Sequence, residues 1–166
     1  GKATEADMAA VAARSRKSAM GNPNAQLAWD RSADDVLAEE YHIAPLRRSD
    51  CPPITDGAAA VVLAAGDVAR SKVDNPAWIR GIDHRVEPIH LGLRDLTVSE
   101  STRLAAEKAG VADGAVDVAE LHAPFTHQEL ILAEALGLGD DVAINPSGGA
   151  LAANAMMTAG LIRIGE

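Results

Sequence analysis

Two short segments contain groups that could bind and polarise a carbonyl compound. Residues 145–149, Asn-Pro-Ser-Gly-Gly, follow a short apolar run, and the paired glycines allow backbone N–H groups to approach a ligand. His122 follows a second apolar run, at the point where the chain enters a predicted helix. A hydrogen-bond donor that is already oriented toward a developing oxyanion lowers the barrier to reaction. The arrangement suits an anion, a thioester oxygen or a closely packed second chain.

Each of these candidates also has a purely structural interpretation. His122 could cap the following helix or bind a buried carbonyl group. Asn145 and Ser147 are candidates for ligand binding, but they share their loop with Gly148 and Gly149, which could form a tight turn without any ligand. The sequence leaves both interpretations open.

Asn154 is a further polar candidate, close after the glycines. Its amide nitrogen could donate a hydrogen bond to an oxyanion, but it could not abstract a proton near neutral pH. The structural alternative is that Asn154 caps the start of the last predicted helix. Oxyanion binding could therefore involve Asn154, whereas base catalysis could not.

The other histidines are weaker candidates. His127 lies in the first turn of the helix predicted after His122, where we expect an exposed side chain, although it could face the pocket. His84 and His90 flank Glu87, but six-residue spacings are not a recognised metal-ligand pattern. We therefore predict no metal site and no bound cofactor.

Cys51 and the basic face of the first predicted helix also have two interpretations. Cys51 has no nearby base that would activate a nucleophile, so we predict a packed thiol. Arg14, Arg16 and Lys17 could contact the phosphates of a nucleotide-like ligand, but a solvated helix face is the simpler expectation.

These candidates must be positioned by alternating strands and helices. Apolar runs predict strands at residues 56–64, 78–86, 116–121 and 142–144, the first of them buried on both faces. Helical spacing and the capping residues Thr4, Ser32 and Thr126 predict helices at residues 4–20, 32–40, 66–72, 97–109 and 126–136, and a buried helix from near Asn154. Alternation of this kind is typical of an α/β fold with a mostly parallel sheet. Residues 1–50 contain too little apolar surface for a core of their own.

Composition limits the classes of function. Aromatic residues make up only 2% of the 166 residues, so the core must consist of closely packed aliphatic side chains. A net charge of −9 argues against nucleic acid and anionic membrane surfaces as partners. No apolar run reaches the roughly 18 residues that a membrane span needs. A single cysteine gives no disulfide framework and fits a reducing cytoplasm.

Three separated motifs resemble those of the thiolase superfamily, in the branch of sterol-carrier-protein-type thiolases, or lipid-transfer proteins. They are residues 56–61 (Asp-Gly-Ala-Ala-Ala-Val), 121–126 (Leu-His-Ala-Pro-Phe-Thr) and 145–149 (Asn-Pro-Ser-Gly-Gly). In the family, the last motif is followed by Gly-His-Pro-x-Gly-Ala-Thr-Gly. Residues 152–160 occupy that place here without the catalytic His and its Pro.

The resemblance implies a layered α/β/α thiolase-like fold with a mostly parallel mixed sheet, incomplete in this chain. Residues 1–55 would be the end of the loop region and a linker, residues 56–76 the last strand of the N-terminal half, and residues 77–166 a truncated C-terminal half. We expect a fragment, because the last helical pattern reaches Glu166 without a capping signal. The nucleophilic cysteine of the family would precede Gly1, and its acid/base cysteine would follow Glu166.

The resemblance also implies roles for the candidate residues. His122 would hold the thioester oxygen, directly or through water, with Asn154 as a second catalytic candidate. The substrate-binding or CoA-binding candidates are Asn145, Ser147, Gly148, Gly149 and Phe125. The expected activity is acyl transfer or carbon–carbon bond cleavage on 3-oxoacyl-CoA or sterol side-chain CoA esters. The alternative, suggested by the missing His, is a non-catalytic lipid-transfer or partner subunit. The expected partners are acyl-CoA and either a second copy or another subunit.

Overall fold

The computed structural model describes residues 3–111 and 114–166 of the chain. The helices are α1 (Glu5–Ser18), α2 (Ala33–Leu37), α3 (Gly66–Lys72), α4 (Glu100–Ala109), α5 (Thr126–Leu136), α6 (Gly149–Ala152) and α7 (Ala159–Gly165). The strands are β1 (Tyr41–Ile43), β2 (Leu46–Arg47), β3 (Val118–Ala119) and β4 (Ala143–Ile144). The mixed α/β character that the sequence predicts is therefore present.

The first two helices begin where the capping residues predict. Thr4 Oγ1 accepts a hydrogen bond from the Asp7 backbone N–H at 3.3 Å, and the Asp7 carboxylate accepts one from the Thr4 backbone N–H at 2.7 Å. Ser32 and Asp35 form the same reciprocal pair at 3.1 and 2.9 Å. Each pair satisfies two N–H groups that have no partner inside the helix. Helix α2 ends at Leu37, three residues earlier than predicted.

A small core lies within the first forty residues. Ala9 and Ala12 of α1 pack against Val36 of α2, and these three residues are at most 1% exposed. Trp29, Ala33 and Leu37 cover the cluster. Residues 1–50 therefore do form a small apolar cluster, contrary to expectation, because small alanines on α1 let α2 approach closely. They also lie against the rest of the chain, since Arg14 of α1 binds Glu129 of α5.

The strands form two separate pairs. Strands β1 and β2 pair antiparallel, with Tyr41 opposite Arg47. Strands β3 and β4 pair parallel, with Val118 opposite Ala143 and Ala119 opposite Ile144. This second pair confirms the predicted parallel arrangement of the last two strands.

The two longest strand predictions are wrong. Residues 56–64 and 78–86 form no regular strand, and their side chains include Val62 at 93% and Ile82 at 86% exposure. A strand buried on both faces needs a hydrogen-bonded neighbour and a covering layer on each side. Within the described part of the chain, neither segment has such a strand partner.

Helices α3, α4 and α5 lie where the sequence predicts them, with small differences at their starts. Helix α4 begins at Glu100 after the N-cap Ser99, and α5 begins at Thr126 after the N-cap Phe125. The predicted capping role of Thr126 is wrong. Its hydroxyl donates to Asp50 Oδ1 at 2.7 Å instead, because a buried carboxylate needs a donor.

The predicted buried helix from Asn154 is also wrong. Helix α6 ends at Ala152, residues 153–158 are irregular, and α7 carries exposed side chains such as Ile164 at 70%. The backbone groups of Asn154 bind Thr55 instead of a helical turn: its N–H donates to Thr55 Oγ1 at 3.0 Å, and its carbonyl accepts from the Thr55 N–H at 3.4 Å. This contact with a distant segment interrupts the helix.

Candidate active site

The exits of β3 and β4 lie at one edge of their sheet, because parallel strands end on the same side. Asn145 follows β4 directly, and its backbone N–H donates to the Ala119 carbonyl at 2.9 Å. Its φ of 49° lies in the left-handed region, which asparagine tolerates better than most residues. The Gly148 N–H donates to the Asn145 carbonyl at 2.9 Å and closes the turn. The loop at residues 145–149 and the exit toward His122 are thus neighbours.

The side chain of Asn145 connects both strand exits to α5. Its Oδ1 accepts a hydrogen bond from the Leu121 N–H at 2.6 Å, and its Nδ2 donates to Glu129 Oε2 at 2.7 Å. Arg14 of α1 binds the other oxygen of the Glu129 carboxylate. Asn145 and Glu129 are each 2% exposed, whereas the Arg14 side chain is 43% exposed, so the network runs from the interior to the surface at α1. These contacts give Asn145 a structural role, and its contact with a substrate stays a prediction.

Ser147 belongs to a second network, with Glu120 and Arg163. The Ser147 hydroxyl donates to Glu120 Oε2 at 2.8 Å and accepts from Arg163 Nη1 at 2.6 Å. Arg163 Nη1 also lies 2.9 Å from Glu120 Oε2, and both side chains are at most 11% exposed. The Gly149 N–H donates to the same hydroxyl at 3.1 Å. The hydroxyl is therefore fully engaged within the chain.

The two glycines of the loop are required by close packing. Gly148 has φ 93°, and a Cβ atom there would lie 2.6 Å from the Ala19 Cβ. Gly149 has φ 61°, and its Cβ would lie 2.9 Å from the Asn145 Cγ. Both positions favour glycine because of their conformation as well as their neighbours. The close approach that the sequence predicts is observed, but here the neighbour is the chain itself.

His122 lies at the exit of β3 and lines a cavity of about 430 Å³ together with residues of α5 and of the segment before α4. The residue as a whole is exposed to solvent, but the cavity wall removes part of the water around its imidazole; this lowers the pKa, and the positive charge of Arg163 lowers it further. The ring is thus neutral at pH 7 and can donate one N–H. The residues of the 145–149 loop do not line this cavity.

Asn154 lies outside that cavity as well. It is 5% exposed, and its side-chain oxygen is buried without a hydrogen-bond partner in the described residues. Its neighbours Ala153 and Ala155 line a different cavity of about 500 Å³, with residues 55–60 on the opposite side. The alternative role of Asn154 as a helix cap is wrong, since Thr158 precedes α7.

Several curated proteins are similar in sequence to this chain, although no protein-family profile matches it. An acetyl-CoA acetyltransferase of Methanothermobacter thermautotrophicus is 30% identical over 88% of the chain and 44% of its own length. A benzoylsuccinyl-CoA thiolase subunit of Thauera aromatica is 32% identical over 82% of the chain and 37% of its own length. Human sterol carrier protein 2 is 28% identical over 82% of the chain and 30% of its own length.

The chain belongs to the thiolase superfamily. A solved structure of an Ltp2-ChsH2(DUF35) aldolase superposes with a TM-score of 0.83 at 22% identity, covering 99% of the chain and 50% of the aldolase chain. That superposition confirms the thiolase-like fold. The chain spans less than half the length of each of the three curated relatives.

The departure from the thiolase His-Pro motif has a local structural counterpart. The residues in its place form the irregular segment after α6, where Met156 is 63% and Met157 is 92% exposed. Asn154 is the only polar side chain among residues 152–157. A catalytic role for Asn154 stays a prediction.

Phe125 and His127 flank the start of α5, next to His122. Their ring centroids are 5.8 Å apart, and the Phe125 N–H donates to Gln128 Oε1 at 3.2 Å. His127 lines the same cavity as His122, and its Nδ1 is buried without a hydrogen-bond partner in the described ranges. The expectation of an exposed His127 is wrong, because the residue is half-buried and its Nδ1 has almost no contact with solvent. The sequence does contain one indication that His127 lies near His122, because the two residues are only five positions apart at the start of a helix.

The remaining candidates are also located by the structure. Cys51 is a half-buried thiol, and burial together with the Asp50 charge raises its pKa, which agrees with a packed rather than a nucleophilic role. Lys17 is on a solvated face, as expected, but Arg16 is 2% exposed, and burial lowers its pKa to about 10. A contact between these basic residues and CoA phosphates stays a prediction.

The possibility of a metal site and of a membrane-spanning helix can be examined in residues 3–111 and 114–166. In these ranges, the His, Cys, Asp and Glu side chains form no group of three or more that could hold a metal ion. His84 and His90 are exposed. No helix there has the length and apolar character required to cross a bilayer.

Proposed function

We propose that the whole protein acts on acyl-CoA thioesters as a thiolase-like acyltransferase or a related carbon–carbon bond-cleaving enzyme, in fatty-acid or sterol side-chain metabolism. The observation that carries the proposal is the position of His122 at the exit of β3, where its side chain lines a cavity. The relatives named as an acetyl-CoA acetyltransferase and a benzoylsuccinyl-CoA thiolase subunit support this class of substrate.

His122 would stabilise negative charge on the thioester oxygen. When the bond between C2 and C3 of a 3-oxoacyl-CoA breaks, its electron pair moves to C2, and the charge is shared with the thioester oxygen. The acyl group that contains C3 is transferred to a cysteine thiolate, which the family resemblance places outside these 166 residues. A neutral N–H that is already oriented stabilises that oxygen without donating a full proton.

The proposal is tested by thiolysis of acetoacetyl-CoA by the full-length protein in the presence of CoA. We expect His122→Ala to lower kcat/KM about 100-fold, because removal of one oxyanion donor typically has an effect of this size. His122→Gln retains a neutral N–H donor, and we expect it to restore part of the rate. The exposed residue His90 provides the control, since His90→Ala leaves the cavity unchanged.

Equal rates for wild type and His122→Ala would remove His122 from the mechanism. If His90→Ala lowers kcat/KM by the same factor, the loss of activity in His122→Ala is due to general destabilisation. The melting temperature of each variant should be recorded in the same experiment, because it separates the two causes.

A non-catalytic role as a lipid-transfer or partner subunit is the second candidate. It is supported by the engagement of Asn145 and Ser147 inside the chain and by the absence of the family's His-Pro pair. The structurally similar aldolase is named for two proteins, Ltp2 and ChsH2(DUF35), and one relative is named as a subunit, which supports a hetero-oligomer. Wild-type protein that binds acyl-CoA but does not cleave acetoacetyl-CoA, even with its partner present, would favour this candidate.

We further propose a cytoplasmic protein that forms homodimers or hetero-oligomers, with acyl-CoA as its small-molecule partner and no resident cofactor. The single half-buried cysteine is compatible with a reducing compartment. Sedimentation of the full-length protein at several concentrations, alone and in a cell extract, tests the assembly.

A further inference from the structure

The cavity beside His122 has one cationic side chain, Arg94, at its edge. It is lined by Arg94, His122 and His127, and its lining includes no Asp or Glu. The chain as a whole has a net charge of −9, so a cavity wall without carboxylates differs from the average surface. Such a wall favours an anionic or strongly polar group on a ligand.

The other wall of the cavity is apolar. Leu96 and Val98 line it from the segment before α4, and Ile131 and Leu132 line it from α5. These side chains can contact methylene groups, whereas they offer no donor to a phosphate. The volume of about 430 Å³ lies within the range of small-molecule pockets, about 300–1,000 Å³. The combination suits a hydrocarbon chain with a charged end.

Arg94 has donors available for a ligand. Its Nη1 lies 3.5 Å from Glu87 Oε2, which is longer than the 2.7–2.9 Å or so of a charge-assisted hydrogen bond. The Glu87 carboxylate already accepts from the Ser101 hydroxyl at 2.8 Å and the Glu100 N–H at 3.2 Å. Since the Glu87 carboxylate has other hydrogen-bond donors and its contact with Arg94 is long, the Arg94 guanidinium can pair with a second carboxylate in a bidentate geometry.

We propose that this cavity, lined by Arg94, His127 and the apolar wall, binds the acyl part of the thioester and selects acyl chains that end in a carboxylate. The inference rests on the proposed function, because the thioester end must lie at His122. The methylene groups would contact Leu96, Val98 and Ile131, and the terminal carboxylate would pair with Arg94. The buried Nδ1 of His127 would gain a hydrogen-bond partner in the ligand. A methyl-terminated chain would instead place hydrocarbon against the guanidinium.

The test compares two thioethers of CoA that cannot be cleaved, S-hexyl-CoA and S-carboxypentyl-CoA, which have six carbons each. Calorimetry with the full-length protein measures the dissociation constant of both, and of CoA alone. We expect S-carboxypentyl-CoA to bind about tenfold more tightly, because charge-assisted pairs are among the stronger polar contacts. Arg94→Met keeps an apolar stem, and we expect the two dissociation constants to become equal.

Three variants serve as matched controls. Arg94→Lys keeps a charge without the bidentate geometry, so part of the preference should remain. Glu87→Gln removes the competing carboxylate, so the preference should increase. Arg80 is exposed and does not line the cavity, so Arg80→Met should keep the wild-type ratio.

Equal affinity of both thioethers for the wild type would overturn the inference while leaving acyl-CoA binding intact. A preference that survives Arg94→Met would also overturn it. If Arg94→Met weakens CoA alone by the same factor, Arg94 contacts the CoA phosphates and the acyl assignment is wrong. If none of the three ligands binds, the proposed function itself fails.

Discussion

The packed unit formed by α1, α2, α5 and α6 differs sharply from the segment between residues 56 and 98. In the packed unit, Ala12, Val36 and Leu151 are at most 2% exposed, and the ion pair between Arg14 and Glu129 connects α1 to α5. In the segment, long aliphatic side chains such as Val62 and Ile89 are at least 85% exposed. Both regions contain apolar runs. The difference shows that an apolar run indicates which residues favour burial, whereas burial itself needs neighbours on each face.

One glycine from each region shows how different the surroundings of a glycine can be, although close approach occurs in both regions: a Cβ atom at Gly81 of the segment would lie 2.0 Å from the Ala109 carbonyl oxygen. In the packed unit, Gly148 approaches Ala19 and Ala152 so closely that a Cβ atom would lie 2.6 and 2.8 Å from their Cβ atoms. In the segment, Gly92 also has positive φ, but it has no atoms within 4 Å of the corresponding position. The two glycines therefore have similar backbone requirements and different surroundings.

The largest expected effect is that of Gly148→Ala. The left-handed conformation costs an L-residue about 1–2 kcal/mol, and the added methyl overpacks a full site at about 1–3 kcal/mol. We therefore expect a loss of about 3 kcal/mol in the free energy of unfolding, measured by urea titration. Gly92→Ala should lose only the conformational part, about 1 kcal/mol. Equal losses would mean that the surroundings of Gly148 and Gly92 do not differ in solution.

A second comparison uses two valines of the same size. Val36 is 0% exposed and Val62 is 93% exposed. Val36→Ala removes buried surface and leaves a cavity, so we expect a loss of about 2 kcal/mol in the free energy of unfolding. Val62→Ala should stay within about 0.5 kcal/mol of wild type. A loss for Val62→Ala close to that of Val36→Ala would show that the segment is buried in solution.

The buried carboxylate of Glu129 gives the third test. Glu129→Gln removes the negative charge that Arg14 binds, and its amide NH2 group would face the N–H donors of Arg14 or Asn145. We therefore expect a loss of about 1.5 kcal/mol in the free energy of unfolding. Glu134 is an exposed residue on the same helix, and Glu134→Gln should change stability little. Similar values for the two variants would contradict a stabilising network between α1, α5 and the 145–149 loop.

Local features of the fold could be predicted from the sequence, because their causes lie within a few residues. Thr4 and Ser32 cap their helices, and the limits of α3 are those that helical spacing predicts. The predictions of strands at residues 56–64 and 78–86 were wrong because strand pairing depends on residues that are distant in the sequence. No pattern inside an apolar run shows whether such a partner is present.

The candidate site also contains features that the sequence can indicate and features that it cannot. The shared edge of His122 and the loop follows from parallel strands, which a sequence can indicate. The ion pair of Arg163 with Glu120 joins residues 43 positions apart, and that of Arg14 with Glu129 joins residues 115 positions apart. No local spacing signals such contacts. The internal engagement of Ser147 and Asn145 was therefore beyond sequence analysis.

The smallest expected effect concerns His122, which lies between the packed unit and the exposed segment. Burial and Arg163 lower the pKa of its imidazole below the ordinary value of about 6.5. Because the unfolded chain then binds a proton more readily than the native chain, this histidine reduces native stability as pH falls below about 6.5 and has no such effect at higher pH.

Titration of the imidazole signals by NMR should therefore place the His122 pKa below the ordinary value, with His122→Asn identifying the signal. Arg163→Gln should raise the His122 pKa only part of the way back, since burial is the larger cause. A full return to the ordinary value would assign the shift to Arg163 alone and would mean that the cavity beside His122 is open to water. A normal His122 pKa in the wild type would mean that neither desolvation nor Arg163 acts on the ring, and the neutral donor at pH 7 would then depend only on the ordinary imidazole equilibrium.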